Sequence, residues 1–356
     1  MKRDGISRTQ LMALLWAGVM APAAELLPAL LLPKAGKGSW LAVVLAAPIV
    51  LAGGWMLNRL AGKRGLAQEV TQLLGSWGGR TVILLYIVWA QLLLTLRLQL
   101  GAQRLLASGN RDGSLWFFLL GTAGLLLWMG RGKLGAFARA GQLFLAALLT
   151  AALIVLGLSL TQAKPERLLP LWLGDGTGII RGTIATVGVI GWGLFAGFLL
   201  GEVNDQRERK GWHWLFWGGG GVLLLAAAQA IILGNLGVGL AMELESPFFA
   251  LAKSVGVEGA FQRVESMISA LWTFADLAMC GILIFSIRVM GQVLLPAKAE
   301  RWIPWISVLL AAVGGLVFFP GSGAAQMLNE MAVPVGNLLL GFVVPGFLCL
   351  VKRVRS

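Results

Sequence analysis

The sequence is poor in the side chains that catalytic and metal sites use. Its 356 residues include one histidine, one tyrosine and two cysteines, and Asp and Glu together number 16. Cys280 and Cys349 lie in separate apolar stretches without a CxxC pair, which favours packing over a zinc site or a disulfide framework. His213 lies between Trp212 and Trp214 and is interpreted as an interfacial residue. We expect no catalytic residue, metal or cofactor, and no enzyme, because little general acid–base chemistry is available.

Charge is also scarce, and this excludes a water-soluble protein. Charged residues make up 13% and hydrophobic residues 58% of the chain, with a mean hydropathy of +0.81. A soluble domain carries about 25% charged residues and could not bury so much apolar surface. The chain is therefore predicted to contact the lipid bilayer. The net charge of +13 is interpreted as basic cytoplasmic loops rather than as a nucleic-acid-binding surface.

Long apolar runs predict an all-α integral membrane protein with ten transmembrane helices, since a span needs about 20 apolar residues. We treat residues 1–356 as one transmembrane domain, with a first five-helix repeat at 9–160 and a second at 181–351. The first run is too long and interrupted for a cleavable signal peptide. The predicted spans are 9–33, 38–58, 80–105, 113–130, 135–160, 181–201, 213–240, 264–290, 302–320 and 332–351.

The basic residues predict the orientation. With ten spans, 19 Lys and Arg residues fall on the side of the two termini and 9 on the opposite side, where Arg104 is counted as a loop residue. Arg97 alone falls within a span. Because cytoplasmic loops carry an excess of Lys and Arg, both termini are predicted to be cytoplasmic.

Two spans contain residues that weaken α-helices at membrane depth. Span 1 carries Pro22 and Pro28 on either side of Glu25, and span 6 carries four glycines between 188 and 197. Broken helices at matching positions of two halves point to the site of an inverted-repeat transporter. The alternative is that the prolines and glycines are ordinary for membrane helices or allow close packing. We predict that spans 1 and 6 are both broken and line a ligand pocket.

Several segments, in order along about three quarters of the chain, resemble the B subunits of spore germination receptors. That family is itself similar to amino acid permeases of the amino acid–polyamine–organocation superfamily. The segments are ISRTQLMALLWAGVM…LLPALLLPKAGKGSWLAVVL (6–45), GRGKLGAFARAGQLF (130–144), LLPLWLGDGTGIIRG (168–182), GEVNDQRERK (201–210) and ESPFFALAKSVGVEGAFQRVESMISALW (245–272).

Individual residues within these segments carry the resemblance. Arg139 matches an arginine at the turn into span 5, and Pro247 matches a loop proline. The pair Arg263 and Glu265 also fits the family pattern. One departure is that the family often has a glutamate in span 6 at the place of Phe195.

The resemblance implies a permease-like fold with a 5+5 inverted repeat in the inner membrane of a spore. It implies a complex with an A subunit and a C subunit. It further implies a small-molecule germinant, usually an amino acid, that docks in the broken-helix pocket. In the family fold, spans 1, 3, 6 and 8 surround that pocket.

Three ionisable residues lie deep in such spans, where a charge costs about 2.5–3.5 kcal/mol on insertion scales. They are Glu25, Arg97 and Asp276. One hypothesis is that Glu25 recognises a ligand ammonium or carries a proton; the other is a structural ion pair of Arg97 with Glu25 or Asp276. The full set of predicted ligand-binding residues is Met20, Ala21, Pro22, Ala23, Glu25, Tyr86, Gln91, Arg97, Gly188, Gly191, Trp192, Gly193, Phe195 and Asp276.

A short outer helix is predicted before span 8. Ser246 and Pro247 fit an N-cap and a first helical residue. The helix either caps the pocket or lies on the surface to bury Phe248 and Phe249.

The sequence leaves two functions open, because a ligand-sensing receptor subunit and a proton-coupled amino acid or amine transporter need the same pocket. The resemblance favours the receptor.

Overall fold

The computed structural model describes residues 5–61, 65–107, 113–169, 176–204, 212–244, 246–254, 264–319 and 322–355. These residues form an all-helical fold. The α-helices are α1 Arg8–Ala35, α2 Ser39–Ala61, α3 Leu66–Ala107, α4 Leu115–Arg131, α5 Leu134–Leu160, α6 Gly176–Ile190, α7 Ala196–Leu199, α8 Trp212–Glu243, α9 Pro247–Ser254, α10 Val264–Leu294, α11 Ile303–Phe318, α12 Ser322–Leu338 and α13 Val344–Arg355.

Membrane-spanning character is confirmed by the length and composition of these helices. Eight helical segments of the described residues are long and apolar enough to cross a bilayer. The first of them, Pro22–Ala61, contains parts of both α1 and α2, and α4 is a shorter apolar helix of 17 residues. The count of ten spans stays a prediction. Large apolar side chains such as Trp77, Phe117 and Leu143 are more than two-thirds exposed, as lipid contact requires.

Helix α1 lies at the centre of the bundle and packs on α5, α6, α8 and α10, while α3 packs on α10 and α11. Just before α1, Ile6 forms an isolated parallel bridge with Val203, where the Ile6 N–H donates to the Glu202 carbonyl over 3.0 Å. The chain entering α1 is therefore tied to the chain leaving α7.

The prediction of a broken first span is wrong, because α1 is one continuous α-helix. Pro22, Pro28 and Pro33 all lie inside it, and a capping box between Ser7 and Gln10 begins it. Each proline removes one backbone hydrogen bond. Membrane helices tolerate this loss where neighbouring helices and local adjustment satisfy the freed groups, and α1 is surrounded by such neighbours.

The prediction of an interrupted span 6 is confirmed. The α-helix ends at Ile190 and continues as a 3-10 helix over Gly191–Phe195, followed by the four residues of α7 and a second 3-10 turn, Leu200–Glu202. Glycine is about 1 kcal/mol less favourable than alanine within an α-helix. Two glycines in five residues therefore weaken the α-helical conformation here, and the backbone adopts the tighter 3-10 helix instead. We name Gly191–Phe195 the 3-10 segment.

Two elements extend beyond the predicted spans. The segment Leu66–Ala107 labelled α3 consists of two helices that meet at a kink, the non-helical residue Gly75 at φ 77°, and the second of them corresponds to the predicted span 80–105. Helix α12 begins at Ser322, and a π-helical turn, Leu339–Val343, joins it to α13. Positive φ is accessible to glycine without steric cost, so Gly75 joins two helices that run in different directions.

The short helix α9 begins at Pro247, as predicted. Ser246 directly precedes the helix, as predicted for the N-cap, but its hydroxyl is buried without a hydrogen-bond partner among the described residues. Only the Ser246 carbonyl takes part, accepting from the Ala250 N–H over 3.1 Å.

Candidate functional site

A pocket, which we name the apolar pocket, lies between the first half of α1, the second half of α2, the 3-10 segment and the start of α8. It contains three of the predicted ligand-binding residues, Met20, Gly191 and Gly193. The complete lining is Met12, Leu15, Trp16, Val19, Met20, Val50, Leu51, Gly53, Gly54, Leu57, Ile190, Gly191, Gly193, Leu194, Trp217, Gly218, Val222, Gly341 and Phe342.

The pocket is small and its side chains are apolar. The space open to the centre of a water molecule is about 80 Å³, and a buried water needs about 10–15 Å³ of such space. Trp16 and Trp217 meet edge to face at one wall with ring centroids 5.3 Å apart, and the Trp16 indole donates to the Trp217 carbonyl. The pocket therefore suits a ligand of a few heavy atoms with an apolar part.

A second group of predicted residues forms what we name the charge cluster: Glu25, Arg97, Arg104 and Asp276. Arg104 joins both carboxylates, with Nη2 2.7 Å from Glu25 Oε2 and Nη1 2.6 Å from Asp276 Oδ2. Its Nε also donates to Glu25 Oε1 over 3.3 Å. Two acids and two bases give the cluster no net charge, and they connect α1, α3 and α10.

The helical spacing of α3 explains how two arginines reach one carboxylate. Arg97, Gly101 and Arg104 lie at intervals of four and three residues, which places them on one face of a helix. A Cβ at Gly101 would be 3.0 Å from Asp276 Oδ2. The absence of a side chain at Gly101 therefore lets the Asp276 carboxylate lie against α3 between the two guanidinium groups.

Arg104 is the member of the charge cluster that sequence reasoning missed, since it was counted as a loop residue although it lies within α3. The available signal was its spacing of seven residues from Arg97, two helical turns along the same face. Glu25 accordingly pairs with Arg104 rather than with Arg97. The predicted pair of Arg97 with Asp276 is present, with Nη1 to Oδ1 at 3.8 Å.

Arg97 also contacts the 3-10 segment. Its guanidinium carbon lies 5.4 Å from the centroid of the Trp192 ring, and both side chains are buried. The neighbours of Trp192 on either side, Gly191 and Gly193, line the apolar pocket. The 3-10 segment therefore separates the pocket from the charge cluster and touches both.

Other predicted residues lie outside the pocket lining and have structural partners. The Tyr86 hydroxyl donates to the Leu340 carbonyl over 2.6 Å, and the Gln91 amide donates to the Ser307 carbonyl over 2.9 Å. Phe195 is fully buried, and its carbonyl accepts from the Ser286 hydroxyl.

Gly188 and the residues around Pro22 serve the packing of helices. A Cβ at Gly188 would be 2.3 Å from the Pro334 carbonyl oxygen, so α6 and α12 touch there. Pro22 and Ala23 are buried in α1, and the side chain of Ala21 lies outside the described residues.

Helix α9 covers the bundle next to the charge cluster. Phe248, Phe249 and Trp272 form an aromatic group with centroid distances from the Trp272 ring of 5.0 and 5.1 Å, and Ala24 of α1 packs against it. One predicted role of α9 is that of a surface helix that buries Phe248 and Phe249. Phe248 is indeed buried, and α9 packs on α1, α5, α8 and α10. Arg263 and the side chain of Glu265 lie outside the described residues.

Among the residues that the structure describes, no group of three or more His, Cys, Asp or Glu side chains is placed to hold a metal ion.

Comparison with known proteins gives one family and one fold. A model of the family described as "Spore germination protein" matches residues 5–319. No curated protein matches the chain. Three crystal structures of mutants of an Eremococcus coleocola manganese transporter match with TM-scores of 0.54, 0.52 and 0.52. Each is 15% identical and covers 93% of this chain and 78% of the transporter. The fold is thus that of permease-like transporters.

Proposed function

Because this chain belongs to the spore germination protein family, we propose that it is the nutrient-sensing B subunit of a germination receptor. It is an integral membrane protein with a permease-like fold, which speaks against an enzyme. In the proposal, both termini are cytoplasmic, the membrane is the inner membrane of the spore, and the two halves 9–160 and 181–351 are related as inverted repeats. The chain acts with the A and C subunits.

The apolar pocket is the observation that carries the proposed ligand binding. It lies between α1 and the interrupted span 6, where permease-like folds bind small molecules beside irregular backbone. Its size and lining fit a germinant with a small apolar part, such as an amino acid or a related amine. Binding there bears on α1, α2 and α8 together, so occupancy can change how these helices pack.

Intrinsic fluorescence during thermal unfolding tests the pocket directly, since Trp16 and Trp217 line it. The protein is purified in detergent and heated with a panel of amino acids, amines and sugars. A ligand that binds only the folded state, at a concentration of 100 times its Kd, raises the free energy of unfolding by about 2.7 kcal/mol. We expect one ligand class to raise the unfolding midpoint.

A pocket-filling variant provides the matched control. Val50→Phe places a ring in the pocket and should abolish the ligand response, whereas Val88→Phe adds the same ring on an exposed face of α3 and should preserve it. A ligand response that survives Val50→Phe would place the binding site elsewhere.

The second candidate is a proton-coupled amino acid or amine transporter. It is favoured by the fold match to transporters and by the Glu25 side chain, which is 26% exposed while Asp276 is 5% exposed. Glu25 is thus the carboxylate of the charge cluster that water reaches most easily, as a proton carrier requires.

Proteoliposomes separate the two candidates. Uptake of the stabilising ligand that depends on a pH gradient, and is lost in Glu25→Gln, would establish transport. Binding without uptake, together with copurification of the A and C subunits, supports the receptor.

A further inference from the structure

Arg97 carries a buried guanidinium that is incompletely hydrogen-bonded in the described part of the chain. The residue is 2% exposed, and its Nε has no hydrogen-bond partner there. The carboxylate oxygen that pairs with it, Asp276 Oδ1, lies 3.8 Å from Nη1, which is too far for a hydrogen bond. Asp276 Oδ1 is itself buried without a hydrogen-bond partner.

The contrast with Arg104 shows that this state is particular to Arg97. Arg104 lies two turns further along α3 and donates three hydrogen bonds to Glu25 and Asp276. Arg97 contacts the face of the Trp192 ring instead. A buried donor without a hydrogen-bond partner is costly in a folded protein, so Nε of Arg97 calls for a water, an ion or a ligand to satisfy it.

The continuity of α1 removes the other obvious place for a carboxylate. In permease-like folds with a discontinuous helix, the freed N–H groups at the break bind anionic groups of the substrate. Here α1 is helical throughout Arg8–Ala35, so its interior N–H groups are used within the helix. A ligand anion must therefore be bound mainly by side chains or by the 3-10 segment.

The position of Arg97 fits that task. Trp192 separates Arg97 from the apolar pocket, and this ring is held by a five-residue segment with glycines on both sides. For a ligand of the apolar pocket to reach the guanidinium, the Trp192 side chain must rotate aside. The planar fork of an arginine matches both oxygens of a carboxylate.

We propose that Arg97 is the carboxylate-binding residue of the ligand site, so that the ligand of the apolar pocket is an acid. This proposal rests on the ligand binding proposed above and defines its chemistry. The carboxylate accepts hydrogen bonds from the Arg97 guanidinium, and the apolar part of the ligand occupies the pocket. Because Asp276 keeps its bonds to Arg104, the charge cluster stays closed while the ligand binds.

Acids and their amides test this chemistry with little change in shape. The probes are L-alanine, L-valine and L-leucine, each beside its own amide, with the amines and sugars of the panel as further probes. We expect at least one acid to raise the unfolding midpoint and its amide to bind about 10- to 100-fold more weakly, because hydrogen bonds to a charged group are lost. An amide that binds as well as its acid contradicts the proposal.

Two variants at one position locate the effect. Arg97→Lys keeps the charge but not the fork, and Arg97→Gln removes the charge; both should weaken binding of the acid by at least tenfold. Arg80→Lys, on an exposed part of the same helix, should leave the Kd unchanged. If Arg97→Gln does not fold, the Kd of the acid for Arg97→Lys tests the proposal. The unfolding midpoint of Arg97→Lys without ligand shows whether that variant is folded.

The outcomes distinguish a failure of the Arg97 proposal from a failure of the proposed ligand pocket. An unchanged Kd for the acid in folded Arg97→Lys means that a bound water completes Arg97, and the proposal fails. An amine or a sugar that binds independently of Arg97 also overturns it but preserves the ligand pocket. If no probe stabilises the protein, both proposals fail.

Discussion

The apolar pocket and the charge cluster lie along the same helix, α1, yet they are built on opposite principles. One face of α1, from Met12 to Met20, borders an open space lined by apolar side chains, whereas Glu25 is bonded to a guanidinium inside a packed cluster. The cluster holds three helices together through buried ion pairs, and breaking such a pair strongly lowers the free energy of unfolding. The pocket contributes no such bonds, so a ligand can fill it without first breaking any. The bonds between helices and the open space thus lie in neighbouring parts of one bundle.

Removal of Arg104 should have the largest effect on the cluster. Arg104→Met leaves the carboxylates of Glu25 and Asp276 without their hydrogen-bonding partner, and breaking a buried pair costs about 3–5 kcal/mol. Thermal or denaturant unfolding followed by tryptophan fluorescence measures the loss. Arg80→Met, at an exposed position of α3, is the matched control and should change stability little. Equal losses in the two variants would show that the cluster does not hold the helices.

The two carboxylates should differ in importance. Asp276→Asn should destabilise by about 3 kcal/mol and Glu25→Gln by about 1.5 kcal/mol, the two ends of the range for hydrogen bonds to charged groups. The reason is burial, since the Asp276 side chain is 5% exposed and that of Glu25 is 26% exposed. The same unfolding assay ranks them, and a reversed order would mean that burial does not decide the difference.

The glycines of span 6 distinguish packing from pocket lining. Gly188→Ala should cost about 1–3 kcal/mol, because its Cβ would meet the Pro334 backbone at 2.3 Å and overpacking strains the helices. Gly193→Ala lines the pocket and meets only the end of the Leu15 side chain at 3.2 Å, so it should cost less. Gly124→Ala on α4 has open space and serves as the neutral reference. Unfolding midpoints of the three variants check the order.

The smallest effect is expected at an ion pair outside the cluster. Lys352 Nζ lies 3.2 Å from Glu69 Oε2, and the lysine side chain is 33% exposed. Exposed pairs contribute at most about 1 kcal/mol because water and salt screen them. Lys352→Gln should therefore lower stability slightly, and the loss should shrink further at high salt. A loss as large as that of Arg104→Met would remove the distinction between buried and exposed pairs.

The sequence predicted the features that depend on composition and on residue type at a given depth. Apolar runs predicted an all-helical membrane protein, and the insertion cost of charges singled out Glu25, Arg97 and Asp276, which the structure brings together. The glycines of span 6 predicted its interruption. These signals are local, and each reflects a free-energy cost that the residue itself imposes.

Features that depend on partners far along the chain were not predictable. Tyr86 faces the Leu340 carbonyl, 254 residues away, rather than a ligand. The prolines of α1 leave the helix intact because helices from distant parts of the chain pack against it. The sequence of α1 alone does not reveal these neighbours. Arg104 was missed because it lies at the end of the predicted span 80–105 and was counted as a loop residue, whereas its two carboxylate partners come from helices far along the chain.

The charge cluster also sets an order for biogenesis. Arg104 lies 79 residues after Glu25 but 172 residues before Asp276. At about 5–20 residues per second, the nascent chain waits roughly 9–35 s between the synthesis of the two arginines and that of the last carboxylate. Arg104 can bond to α1 as soon as α3 enters the membrane, whereas Arg97 meets its counterion only when α10 arrives. An unfinished chain therefore carries an uncompensated guanidinium in the bilayer until α10 is inserted.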